Sequence, residues 1–117
     1  MWLRIAGILM FLGVALGAFG SHALKSKLDA FSFDVFKTAV MYHLIHAMGI
    51  FVVAYLTSMS KDPKIQWAGI FLVAGIILFS GSLYLLAVTG QKWLGAITPL
   101  GGLCFLAAWL LIAFVGI

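Results

Sequence analysis

The chain has 117 residues, of which 65% are hydrophobic and only 9% charged, with a formal net charge of +4. A soluble domain carries about 25% charged residues, and a chain this short leaves about a third of its surface exposed when folded. So much apolar surface excludes a water-soluble fold and makes the bilayer the solvent.

The seven Lys and Arg sit at the ends and loops of apolar runs, with no basic stripe interleaved with aromatics, which argues against a nucleic-acid partner. A single cysteine, Cys104, excludes an intramolecular disulfide. Four apolar runs follow one another, roughly 3–23, 33–57, 65–88 and 93–117. Each meets the ~20 residues that a ~30 Å hydrocarbon core requires. They predict an all-α integral membrane four-helix bundle of up-down topology, one transmembrane domain over residues 1–117.

The first run opens on Arg4 and ends near Ala18-Phe19-Gly20, a pattern that a signal peptide shares; we read it as a retained first spanning helix. Its Gly13, Gly17 and Gly20 form a small-residue face that lets a neighbouring backbone approach. Between the first and second runs, Leu24, Leu28, Phe31 and Val35 recur at helical spacing among Lys25, Lys27, Asp29 and Asp34. That pattern predicts a short amphipathic segment at the interface, with Ser32 as N-cap of the second helix. Pro63 stops one helix and opens the next, and Gly90 predicts a helix C-cap before the fourth run. Ala6-Gly7-Ile8 matches Ala68-Gly69-Ile70 and Gly13 matches Gly75 at one offset, the pattern of a two-plus-two repeat. Gly81, Gly101 and Gly102 complete the small residues expected at helix contacts, within the chain or between copies of it.

Orientation is undetermined. Arg4, Lys61 and Lys64 lie on the side of the two termini, called side A; Lys25, Lys27, Lys37 and Lys92 lie on the other, side B. The positive-inside rule cannot choose between three and four.

Depth along each helix places the polar side chains in the side-B half: His22, Tyr42, His43, His46, Ser80, Ser82, Tyr84 and Thr98. Hydrocarbon does not solvate such groups, so they are expected to face other helices, a cavity or a ligand. Turned inward, they predict one His/Tyr-lined pocket opening to side B. Three imidazoles suit zinc, two suit haem iron, and neutral imidazole also makes a good interhelical hydrogen-bonding group. H-x-x-H alone does not choose among these, and no metal or cofactor is assigned. No Asp or Glu lies inside a span, and no nucleophile elbow, P-loop or H-E-x-x-H occurs, so enzyme chemistry is not indicated.

Gly17-Ala18-Phe19-Gly20-Ser21-His22-Ala23-Leu24, Tyr42-His43-Leu44-Ile45-His46-Ala47, Phe79-Ser80-Gly81-Ser82-Leu83-Tyr84-Leu85-Leu86 and Ala96-Ile97-Thr98-Pro99-Leu100-Gly101-Gly102 resemble the segments of the DUF423 family. This family, also called UPF0382, includes the eukaryotic transmembrane protein 256. The resemblance touches every helix. It implies a small multi-pass protein, in the inner membrane if the source is bacterial, and brings no established activity. The family often carries Gln where this chain has His43 and keeps the histidine matching His46, which counts against a three-histidine metal site. The expected role is a non-enzymatic binding or accessory protein in contact with membrane lipid. The alternatives are a small oligomeric transporter or permease, and a haem-, quinone- or metal-binding membrane protein.

Overall fold

In the computed structural model, which describes all 117 residues, the chain forms four long helices and no strand. They are α1 (Trp2–Leu24), α2 (Ala30–Met59), α3 (Pro63–Thr89) and α4 (Lys92–Ala113), the last opening with a 3-10 turn over Lys92–Ala96. Each is long and apolar enough to cross a membrane. Helix α2 is the most enclosed, with α1 and α3 packed along it and α4 against α3. Large apolar side chains such as Leu3, Phe11, Phe19, Leu103 and Leu110 point outward, where acyl chains replace water.

The link between α1 and α2 corrects one expectation. Residues 25–29 form a turn, and Phe31 and Val35 belong to α2 itself. The N-cap is Asp29, whose carboxylate accepts the Ser32 N–H at 2.7 Å; Ser32 is the capped residue. The amphipathic partition persists within the turn, because Leu24 and Leu28 pack against Phe36 and Val40 while Lys25 and Lys27 stay exposed. Gly90 ends α3 with φ of 72°, a left-handed conformation that favours glycine, and its N–H returns to the Leu86 carbonyl at 2.8 Å.

Glycines set the distances between helices. A Cβ on Gly13 would lie 2.7 Å from Leu44 Cδ2, one on Gly17 2.9 Å from Val40 Cγ1 and one on Gly20 3.1 Å from Phe36 Cζ. These partners are spaced by four along one face of α2, so the α1 glycine stripe seats the α1–α2 contact. Gly75 and Gly101 do the same between α3 and α4, against Phe105 and the Phe79 backbone. Gly81 and Gly102 would meet nothing closer than 3.9 Å and are not required for close approach. The glycine faces offered for association between copies are thus filled within the chain at Gly13, Gly17, Gly20, Gly75 and Gly101. Gly13 lies at the α1–α2 contact and Gly75 at the α3–α4 contact.

At side A the chain end folds back, so α4 stops at Ala113 although the apolar run continues to Ile117. Asp62 accepts the Gly116 N–H at 2.7 Å and the Lys64 N–H at 2.9 Å, and the Ser60 hydroxyl donates to the Gly116 carbonyl. The Gly116 amide above all, then that of Lys64, holds the Asp62 carboxyl below its ordinary value. A lowered folded value means that the tether is fully present above the unfolded pKa of about 3.9 and is lost as pH falls through the folded one. The Gly116 amide is therefore expected to be ordered at pH 7, by 15N heteronuclear NOE, and to gain mobility only as pH falls below the ordinary carboxylate range. Asp62→Ala should free it at every pH; an unchanged NOE in that variant would contradict the tether.

Candidate functional site

Helix α2 sends His43 and His46 in different directions. His43 is 3% exposed and bridges α1 and α3: its Nε2 lies 2.7 Å from the Leu9 carbonyl and its Nδ1 2.8 Å from the Tyr84 hydroxyl. A carbonyl only accepts, so Nε2 carries the proton and donates to it. Nδ1 is then a lone pair and accepts the Tyr84 O–H. Direction is thereby fixed along the chain of groups, from Tyr84 to His43 to Leu9. Gly13, one turn beyond Leu9, makes room for the ring: a Cβ there would lie 3.2 Å from His43 Cδ2.

His46, 5% exposed, turns to α4. Its Nδ1 donates to the Tyr42 carbonyl at 2.7 Å, and its ring lies flat on Phe105, with centroids 3.5 Å apart and 11° between planes. Trp109 is tilted at 5.8 Å, and the Tyr42 ring contacts Phe79 at 4.4 Å. This is an aromatic stack with one internal hydrogen bond.

The remaining polar groups pair locally. The buried Ser80 hydroxyl donates to the Ala39 carbonyl at 2.8 Å, and Ser82 and Thr98 hydroxyls join α3 to α4 at 2.6 Å. His22 stands apart, exposed at the end of α1. The single side-B pocket is therefore divided into three separate sets: His43 with Tyr84, His46 with Tyr42 and the aromatics, and Ser82 with Thr98. His22 and His46 are not brought together, because the last turn of α1 lies beyond the level of His46 and faces outward. No three His, Cys, Asp or Glu side chains converge, so the three imidazoles do not form one ligand set.

A groove of about 480 Å³ lies between α1 and α3 and is open on its outer side. Leu12, Ala15, Leu16 and Gly20 form one wall, Ile76, Ile77 and Gly81 the other, and His43 and Tyr84 lie at its base. Both walls are π-helical, over Leu16–Gly20 and Ile76–Ser80, where Ser21 and Gly81 N–H groups reach back five residues to the Leu16 and Ile76 carbonyls. Such wide turns are uncommon and recur at functional sites. Nearer side A, Trp2 of α1 rests its indole on Gly69 of α3 and donates to Gln66 Oε1 at 2.8 Å. The polar pattern of the sequence missed the Leu9 carbonyl, the aromatic shell of Phe79, Phe105 and Trp109, and the groove walls. Only Gly13, four residues after Leu9, hinted that something approaches α1 there.

Four spanning helices with every ionic side chain at their ends define a small multi-pass integral membrane protein. More closely, the chain belongs to the DUF423 family: the family model, described as "Protein of unknown function (DUF423)", matches residues 16–102. It is 46% identical to the UPF0382 membrane protein YwdK of Bacillus subtilis (strain 168), over 97% of this chain and 93% of that one. It is 38% identical to the UPF0382 inner membrane protein YgdD of Escherichia coli (strain K12), over 93% of this chain and 83% of that one. No solved structure matches it.

Proposed function

We propose that the protein is a non-enzymatic binding protein that holds an apolar membrane molecule in the groove between α1 and α3, over the His43–Tyr84 pair. The observation that carries this reading is the meeting of both π-helical segments across one groove that opens sideways, where a molecule enters from the bilayer without crossing water. The walls are apolar and suit a hydrocarbon body. A ligand group that reaches the base meets the Tyr84 oxygen, whose proton is already given to His43; it must therefore be a donor, a hydroxyl or an amide N–H. Both His43 nitrogens are engaged, which leaves no free base for general acid–base chemistry at this site. The membrane is the one that the name of the E. coli relative gives, the inner membrane.

Gly81 supplies the test, because it lines the groove and a Cβ there would meet nothing closer than 3.9 Å. Gly81→Leu is expected to fold with wild-type stability and to lose a molecule that co-purifies with the wild-type protein, read by native mass spectrometry. Equal retention of that molecule by Gly81→Leu, or a wild-type protein that carries nothing out of its native membrane, would refute the reading.

A further inference from the structure

A second groove, of about 530 Å³, runs between α3 and α4 at side A, remote from the first. Phe71, Ala107, Leu110, Leu111 and Phe114 line it, and Lys64 stands at its mouth. We infer that this groove binds one anionic glycerophospholipid of the bilayer, with an acyl chain between α3 and α4 and the phosphate on the Lys64 ammonium.

The argument rests on a cation placed at the head of an acyl-sized furrow. Lys64 is the second residue of α3, so its ammonium lies at the membrane boundary while the furrow descends from it into the hydrocarbon. Trp67, one turn further, is 54% exposed and tilted on Phe71 at 6.2 Å, the position of an interfacial aromatic.

Asp62 is the competing anion. Its carboxylate oxygens are already engaged at 2.7 and 2.9 Å by the Gly116 and Lys64 N–H groups, whereas the Lys64 ammonium stands at 3.4 Å. A charge-assisted bond is normally about 2.7–2.9 Å, so Asp62 holds the ammonium only loosely. The Lys64 side chain is 45% exposed and keeps donors for a phosphate. Phosphate charge and two apolar tails match what the site presents, a cation above and hydrocarbon walls below. This site does not depend on the groove between α1 and α3.

The test is native mass spectrometry of the detergent-purified full chain titrated with dioleoyl phosphatidylglycerol, dioleoyl phosphatidylcholine and glycerol phosphate. One phosphatidylglycerol should bind in preference to phosphatidylcholine, and glycerol phosphate should not bind. Lys64→Gln should weaken phosphatidylglycerol roughly five-fold, the factor for one lysine near an anionic surface. Lys61→Gln, which removes a charge beside the furrow but not in it, should change little. Ala107→Leu, which fills the furrow, should lower occupancy with Lys64 intact. Equal losses in Lys64→Gln and Lys61→Gln would reduce the effect to diffuse surface charge and overturn the site. Unchanged binding in Ala107→Leu, or glycerol phosphate binding as well as the lipid, would overturn it too.

Discussion

Gly101→Ala is expected to destabilise the bundle by about 3 kcal/mol, the upper end of the usual cost of overpacking. A Cβ at Gly101 would overlap the backbone nitrogen and Cα of Phe79. Backbone cannot rotate aside as a side chain does, so α4 would have to move away from α3. That shift would also part Gly75 from Phe105, whose ring carries the stack with His46. Gly102 is the internal control: a Cβ there meets only Phe79 Cδ2, at an ordinary 3.9 Å. Gly102→Ala should gain about 0.5–1 kcal/mol, because alanine loses less backbone entropy than glycine in a helix. Reversible unfolding in mixed micelles would measure both. A wild-type midpoint for Gly101→Ala would mean that the helices do not approach so closely in solution.

Neighbouring glycines with opposite expected effects illustrate what the sequence can and cannot reveal. The four spans were legible because run length and the scarcity of charge are one-dimensional quantities. Their ends were less so. Ser32 looked like a cap because it precedes the long apolar run, but Asp29 three residues earlier had the stronger acceptor and took the Ser32 N–H. The fourth run is apolar to Ile117, yet its helix ends at Ala113, because Asp62 and Ser60 fix Gly116 from across the bundle. Apart from the glycine face of α1, which way each side chain faces was not legible. In a soluble helix the polar stripe gives the phase; here lipid-facing and core-facing sides are equally apolar, and the pattern carries none. Depth alone grouped His22, His43 and His46. Phase separates them, with His43 directed to Tyr84 and Leu9, His46 to Phe105, and His22 outward.

His43→Gln is expected to leave stability within about 1 kcal/mol of wild type, whereas His43→Leu should lose about 2 kcal/mol. The imidazole contributes one donor to the Leu9 carbonyl and one acceptor to the Tyr84 hydroxyl. A glutamine amide has the same pair of functions, with its NH₂ toward Leu9 and its oxygen toward Tyr84. Leucine fills similar space and has neither, so it leaves the Tyr84 hydroxyl unpaired among apolar side chains. A cycle with Tyr84→Phe isolates the coupling: removal of the hydroxyl should cost as much in the His43→Gln background as in wild type, and almost nothing in His43→Leu. Mixed-micelle unfolding of the six proteins would measure it. A His43→Gln protein as unstable as His43→Leu would show that ring shape, rather than donor and acceptor, is what the site uses. Under the expected outcome, a group that does not titrate and seldom binds metal serves at this position, and the work of His43 is the directed bond that ties α1, α2 and α3 together beneath the groove.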